Sequence, residues 1–409
     1  MVVIDVVRDS CHRMEKTRVM VNRYRCGTTS TNPIVRVLVL GNGAAGAEKQ
    51  ALALGHKLRQ HLKTRLHCLP VDCVRVTLGT ARGIPPVLQV VGARIMRNPV
   101  FGYKEQESTR SLLALDQDLH TFTVAIGCGG STVALGVMMK QVAPTTTFNV
   151  QIQHPRVPLS WFDAVVVPRH DVLRTRDGAT NLFCTSGSIH AVTRDLLLHH
   201  GCKWSKELDE KLYGRQTRVV WLVGGPCRGF GFTEHEADDM VEELGRALLR
   251  GDYDEVAVLV TFSRRTPDIV KKVIRRGLYA KLPLPGQVLV WNGTERRNPY
   301  YALLATASCI VTTPDSISMT TEAIAAGKPV FTLGAATCKG KFLRFHEYMF
   351  KLKATAPFIA DDVAASLRRK ADEADSASSR ARAMFENETS EIVDSIATRI
   401  DDALQRTRP

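Results

Sequence analysis

Three oxygen-bearing side chains, Asp315, Ser316 and Ser318, crowd one junction in the stretch VTTPDSISMTTEAIAAGKPVFTLG (residues 311–334). A short apolar run ends there and a helical pattern begins. Asp315 or Ser316 can cap that helix, leaving its first N–H groups and the positive end of its dipole as an anion site suited to a phosphate. Ser316 and Ser318 add hydroxyl donors. Glu322 lies four residues beyond Ser318 on the same helix face. A carboxylate at that depth can accept hydrogen bonds from ribose hydroxyls, and its charge keeps it off the phosphate itself. Gly327-Lys328-Pro329 stops the helix tightly. Taken alone, Asp315 reads as a plain N-cap; the whole segment reads as a nucleotide-type site.

In an open α/β sheet, ligands bind beyond the carboxyl ends of the strands. Four polar stretches of the C-terminal half each follow an apolar run: GGPCRGFGF (224–232), SRRTP (263–267), NGTERRNP (292–299) and TPDSIS (313–318). They bring Gly224, Gly225, Arg228, Ser263, Arg264, Arg265, Arg296 and Arg297 to the edge that carries Asp315 and Glu322. The N-terminal half offers two glycine turns after strands. One is GNGAAGAEKQ (41–50), with Gly41, Asn42, Gly43 and Gly46; the other is GCGGST (127–132), with Gly129, Gly130 and Ser131. The first fits G-x-G-x-x-G formally, but no acid follows at ribose-binding distance in a clear second strand. His154 and His170 also follow strands, as candidate general bases or as hydrogen-bonded structural histidines. No metal site is expected: Asp116-Gln117-Asp118 and Asp252-Tyr253-Asp254 precede their strands and read as surface turns. No G-x-x-x-x-G-K-[ST] occurs, which argues against P-loop hydrolysis.

These loops need a scaffold, and the apolar runs supply one. IVRVLVLG (34–41), DCVRVTLG (72–79), TFTVAIG (121–127), FNVQIQ (148–153) and DAVVVP (163–168) alternate with helical stretches. That rhythm implies a parallel sheet covered on both faces. It restarts at RVVWLVGG (218–225) and continues through VAVLVTF (256–262), QVLVW (287–291), SCIVTT (308–313) and PVFTLG (329–334). Thr233 to Glu236 forms a capping box, and Pro267 and Pro299 open the next helices. The expected fold class is α/β: two Rossmann-like, doubly wound domains facing each other across a cleft, with C-terminal helices. The expected boundaries are an N-terminal extension over 1–34, a first domain over 35–215, a nucleotide-binding-type domain over 216–360, and helices over 361–409 with apolar positions Ile392, Ile396, Ile400 and Leu404.

Composition narrows the class. With 44% hydrophobic and 23% charged residues over 409 positions, the chain can bury a sizeable core. No apolar run reaches the roughly 18–20 residues of a membrane span, so any membrane role is peripheral. The ten cysteines are scattered without a C-x-x-C pair, which fits a reducing compartment. Net charge is +14, and residues 1–215 hold 28 Lys and Arg against 16 Asp and Glu. The excess permits contact with RNA, anionic lipid or phosphate. Residues 1–34 carry six spaced Lys and Arg, as an organellar presequence would, although Asp5, Asp9 and Glu15 count against one.

Two Rossmann-like domains, with a nucleotide-type motif in the second, match the GT-B architecture of glycosyltransferases. The segments GNGAAGAEKQ, VQIQHPR with FDAVVVPRHD, VGGP, SRRTP, VTTPDSISMTTEAIAAGKPV and KFLRFHEYM (341–349) resemble, in order, the mitochondrial-fission elongated-mitochondria family of plants and its bacterial relatives. The resemblance implies a mitochondrial protein, in plants an adaptor that recruits a dynamin-related GTPase, and in bacteria a glycosyltransferase-like protein. By similarity to nucleotide-sugar GT-B enzymes, Glu322 would bind ribose, and Ser316, Ser318, Gly225 and Arg264 would lie near the diphosphate of a nucleoside diphosphate sugar. The glycine turns of the N-terminal half would form the acceptor side. Lys49 stands where the family pattern has asparagine, and Pro314 where it has a small residue. Three function classes stay open: a mitochondrial adaptor, an active metal-independent sugar transferase, and a basic scaffold in a mitochondrial ribonucleoprotein such as a ribosome assembly factor.

Overall fold

The computed structural model describes residues 4–6, 34–66, 69–78, 83–104, 121–172, 179–250, 254–292, 297–368 and 376–407. Most of the extension 1–34, the pair Asp116 and Asp118, Asp252 and Arg296 lie outside the described residues. The chain divides into two compact units, residues 1–191 with 388–409, and residues 192–387.

The first unit is built on a seven-stranded sheet. Its strands are β1 (Ile4–Val6), β2 (Ile34–Gly41), β3 (Val71–Thr77), β4 (Thr121–Cys128), β5 (Thr147–Ile152), β6 (Ala164–Pro168) and β7 (Leu182–Thr185). Their spatial order is β1-β3-β2-β4-β5-β6-β7, parallel except for β1, which pairs antiparallel with the edge of β3. Part of the segment expected to stand apart from the fold thus belongs to this sheet. Strands β4, β5 and β6 are buried along their full length, as strands of a parallel sheet covered on both faces are. Helices α1 (Ala45–Arg65), α2 (Pro86–Ile95) and α3 (Gly130–Val142) supply crossovers. Burial pushes the Cys128 thiol up to about 12, so this cysteine behaves as a small apolar side chain.

The second unit carries a six-stranded, all-parallel sheet: β8 (Thr217–Val223), β9 (Val256–Phe262), β10 (Val288–Trp291), β11 (Cys309–Thr312), β12 (Val330–Thr332) and β13 (Ala356–Pro357). Its order is β10-β9-β8-β11-β12-β13. Helices α4 (Arg194–Lys211), α5 (Glu234–Leu249), α6 (Asp268–Lys281), α7 (Tyr300–Thr306), α8 (Ile317–Ala325), α9 (Lys341–Lys351) and α10 (Ala360–Arg368) cover it. The capping box is present: the Thr233 N–H donates to Glu236 at 2.6 Å and the Glu236 N–H to the Thr233 hydroxyl at 3.3 Å. The second unit begins at Val192 rather than near 215, because α4 packs on α7 and buries Leu197, Trp204 and Leu208 in that unit's core. The long last helix, α11 (Ser376–Gln405), belongs to the second unit up to Asn387 and to the first from Glu388 on. Its positions Ile392, Ile396, Ile400 and Leu404 join the core of the first sheet.

Candidate functional site

Strand order fixes where each sheet can hold a ligand. In the second unit β8 comes first in the chain and lies between β9 and β11, so the winding reverses between β8 and β11. That is the switch point at which doubly wound sheets leave a crevice. The loops leaving β8 and β11 are the two that carry Gly224-Gly225 and Asp315-Ser316, and the loop leaving β9 carries Ser263-Arg264-Arg265.

The three loops are laced by one buried carboxylate. Asp315 has no exposed side-chain surface. Its Oδ2 accepts from the Gly225 N–H at 2.9 Å and from Nη2 of Arg265 at 2.7 Å, and its Oδ1 accepts from the Thr313 hydroxyl at 2.7 Å. Thr313 Oγ1 in turn accepts from the Gly224 N–H at 2.7 Å. Arg265 donates onward to the Gly225 and Pro226 carbonyls at 3.3 Å each, and the Thr266 hydroxyl donates to the Gly224 carbonyl at 2.5 Å. A Cβ on Gly224 would overlap the Asp315 carboxylate, and one on Gly225 would overlap the Arg265 backbone. Both glycines therefore admit neighbouring protein groups closely. Asp315 is not the helix cap either. Ser316 holds that position, accepting from the Met319 N–H at 3.4 Å. Asp315 faces the glycine loop instead.

The remaining expected residues divide into exposed and buried sets. Arg228 and Arg264 are exposed, Ser263 is half-buried and shares a 3.1 Å hydrogen bond with Thr266, and Ser316 and Ser318 are half-buried at the start of α8. Glu322 is 5% exposed and accepts from the Tyr300 hydroxyl at 2.6 Å. Burial, with the Glu322 charge beside it, holds the Tyr300 phenol well above its ordinary range. Below α8, the fully buried His346 on α9 bonds through Nε2 to the Pro314 carbonyl at 2.9 Å and through Nδ1 to the Thr332 hydroxyl at 3.4 Å. A carbonyl only accepts, so Nε2 carries the proton and Nδ1 accepts. Burial lowers the pKa of this ring, which suits the neutral form. The α8 helix stops at Gly327, whose φ of 70° is the left-handed conformation that a tight helix end requires. A separate cavity of about 330 Å³ in this unit is lined by Glu236, Asp239, Glu243, Thr332, Gly334 and Phe358. Its three carboxylates do not suit an anion.

The first unit repeats the switch point between β2 and β4. Asn42 staples the two glycine turns, donating to the Cys128 carbonyl at 3.1 Å and to the Ser131 hydroxyl at 2.9 Å, while its Oδ1 accepts from the Ala44 N–H at 3.0 Å. The Ser131 carbonyl accepts from Tyr103 at 2.6 Å. Gly129 has φ 83° just before α3. A Cβ on Gly41 would meet Glu48, which is paired with Arg75. Gly43, Gly46 and Gly130 are exposed. His154 is on the exterior, its Nδ1 accepting from the Arg156 N–H at 3.1 Å, and His170 is buried in a short 3₁₀ turn with Nε2 3.9 Å from Asp171. They lie in loops after different strands, β5 and β6.

Sequence reasoning missed four groups that organise the second unit's site: Thr313 and Thr266 as relays, Tyr300 as the partner of Glu322, and His346 as the support under Pro314. Arg264 and Arg265 were both visible as cations, but only the fold shows that Arg265 closes the loop.

Two sheets of this winding define a GT-B-like protein. Solved structures of that fold align over most of the chain. A Listeria monocytogenes protein assigned as a UDP-N-acetylglucosamine 2-epimerase aligns with TM-score 0.54 at 12% identity, covering 90% of this chain and 97% of that one. A glycosyltransferase of Rickettsia africae aligns with TM-score 0.50 at 12% identity, covering 92% and 98%. At such identities the likeness establishes the fold alone. The family described as "Mitochondrial fission ELM1" matches residues 45–385, and the chain belongs to it. Mitochondrial fission protein ELM1 of Arabidopsis thaliana is 28% identical over 373 residues, 78% of this chain and 83% of that protein.

Proposed function

We propose that this chain acts at mitochondria as a fission adaptor on a GT-B scaffold, and that its second unit retains a pocket for a nucleoside diphosphate group. The Arabidopsis relative, named for mitochondrial fission and aligned over most of its length, supports the adaptor half. The Asp315 clasp carries the choice of adaptor over enzyme. The Gly225 amide and the Arg265 guanidinium are donors that a diphosphate would need at a switch point, and both are engaged by the protein's own carboxylate. A ligand would approach the start of α8, which Ser316 caps, on the strand edge that also carries the exposed Arg264 of the β9 loop. Recovery of a dynamin-related GTPase with the tagged protein from mitochondrial extracts is the expected result. Its reproducible absence from the recovered proteins refutes the adaptor half. Stabilisation of the purified protein by UDP, GDP or ADP, lost in Glu322→Ala, tests the pocket. No stabilisation by any of them at saturating ligand removes it.

One observation favours a second reading, an active nucleotide-sugar transferase. Glu322 is held by Tyr300 at 2.6 Å in a fixed orientation behind the phosphate-type helix start, as a ribose-binding carboxylate would be. Release of free nucleoside diphosphate from a nucleotide sugar by the purified protein, abolished in Glu322→Ala, would establish that reading in place of the first.

A further inference from the structure

Helix α2 is turned inside out relative to an ordinary surface helix. Its buried positions are Gln89, Val90 and Ala93, which face α3. At 100° per residue, Val87, Leu88, Val91 and Ile95 fall within about one third of the helix circumference on the opposite side. They are 40%, 58%, 40% and 75% exposed, and Met96, in the turn that follows, is 66% exposed. Five of the sixteen large apolar side chains exposed among the described residues are thus gathered on ten consecutive positions. Scattered singly they would call for no explanation; gathered on one face they do.

The sequence around this helix carries charges of one sign. Between Asp72 and Glu105 the sequence contains no acidic residue, and it contains Arg75, Arg82, Arg94, Arg97 and Lys104. Arg94, Arg97 and Lys104 are exposed. Arg94 borders the apolar stripe, its guanidinium stacked 4.4 Å from the Trp161 ring. An outward apolar stripe rimmed by cations is the pattern of a helix that lies in a membrane interface. A ten-residue helix is about 15 Å long, too short to present the roughly 800 Å² per partner of a stable protein interface. It is large enough to act beside an electrostatic attraction, the two-signal arrangement that gives firm peripheral binding. No helix among the described residues is long and apolar enough to cross a membrane.

We propose that the outward face of α2 docks on an anionic lipid bilayer, with Leu88, Val91, Ile95 and Met96 in the boundary between headgroups and acyl chains, and Arg97 and Lys104 on the headgroup phosphates. This inference does not depend on the ligand or partner of the second unit. The test is flotation of the purified full chain with phosphatidylcholine vesicles, with and without phosphatidylserine. Expected are binding to the anionic vesicles, weakening by about tenfold or more in Ile95→Glu and in Leu88→Glu, and loss at high salt or in the Arg97→Asn, Lys104→Gln double variant. Leu249→Glu, at an equally exposed position of the second unit, should bind as the native chain does. Circular dichroism and unfolding midpoints equal to those of the native chain show that the variants are folded. Equal partitioning of native chain and Ile95→Glu overturns the proposal. So does a dimer in light scattering that Ile95→Glu dissociates without any vesicle binding, since a second copy would then cover this face. Binding to neutral vesicles as strong as to anionic ones overturns the choice of lipid.

Discussion

Gly224→Ala should be among the most damaging single-methyl additions in the second unit, and only because of Asp315. Gly224 does not have a positive φ, so alanine is allowed there by its backbone, and only contact opposes it. The new Cβ falls on both carboxylate oxygens of Asp315. Backbone cannot yield at the end of a central strand, so the carboxylate must leave. It then abandons the Gly225 N–H and the Thr313 hydroxyl, both buried, and the Arg265 guanidinium, whose side chain is 48% exposed. The two buried partners left unpaired cost about 1–3 kcal/mol each, while water can replace the carboxylate on Arg265, so that pair adds little. The expected loss is about 3 kcal/mol, or a melting shift of about 6–12 °C for a unit of this size. Asp315→Ala should cost a similar amount. The two changes remove the same bonds, so the double variant should be about as stable as Asp315→Ala alone, a coupling of about 2–3 kcal/mol. Urea unfolding followed by tryptophan fluorescence reads this unit, because Trp204, Trp221 and Trp291 belong to it and only Trp161 to the other. Costs that add to within about 0.5 kcal/mol would refute the clasp.

Three further outcomes are expected. His346 is buried with its pKa lowered from 6.5, so the folded state binds a proton less readily than the unfolded chain. The His346 contribution to stability should be level above about pH 6.5 and fall below it by at most about 1.4 kcal/mol per pH unit, and urea midpoints of His346→Gln should lack that part of the acid slope. Tyr300→Phe keeps the ring and removes the hydroxyl from Glu322; a loss of about 1.5–3 kcal/mol is expected for a hydrogen bond to a charged group, measured by the same unfolding curves. Thr233→Ala removes the capping box of α5 and should cost about 1 kcal/mol, with Thr233→Ser restoring most of it.

Much of the scaffold is legible in the sequence because its causes are local. Strands β4, β5, β8 and β9 are buried on both faces, and buried parallel strands are rich in apolar and β-branched residues; the polar side chains among them, such as Asn149 and Gln151, are hydrogen-bonded inside. The capping box at Thr233, the helix end at Gly327 and the apolar positions of α11 follow from short-range rules of the same kind. The candidate site is less legible because its bonds are long-range. Gly225 and Asp315 are ninety positions apart, and Arg265 is fifty from Asp315; no spacing rule joins them. Glycine is ambiguous in sequence for a physical reason: the lack of a Cβ serves a ligand or a neighbouring carboxylate equally. Arg264 and Arg265 differ only in direction, which the turn after β9 decides. The division near 215 failed for a related reason, since the polar stretch before β8 is the solvent side of α4, whose apolar side belongs to the second core.

The two sheets solve the same problem with different chemistry, and the difference bears on function. In each, the loops on either side of the switch point must be held at a fixed distance, and one side chain spans them: Asn42 in the first unit, Asp315 in the second. Asn42 is a neutral amide that leaves Gly43, Gly46 and Gly130 exposed and adds no charge to the crevice. Asp315 is a carboxylate, placed where a phosphate would otherwise take the Gly225 amide, and its charge is paired with Arg265. An incoming diphosphate would meet that carboxylate unless Arg265 or the exposed Arg264 turned toward the ligand. Neutralising Asp315 should therefore separate the two readings of the second unit. If the clasp is purely structural, Asp315→Asn weakens folding and leaves nucleotide affinity unchanged. If Asp315 occupies a working phosphate site, the same change frees the Arg265 cation and tightens diphosphate binding by about tenfold, on the scale of one charge-assisted hydrogen bond. Titration calorimetry with UDP on the folded variant distinguishes the two outcomes, and unaltered affinity would place the diphosphate, if one binds, at the start of α8 and away from the glycine loop.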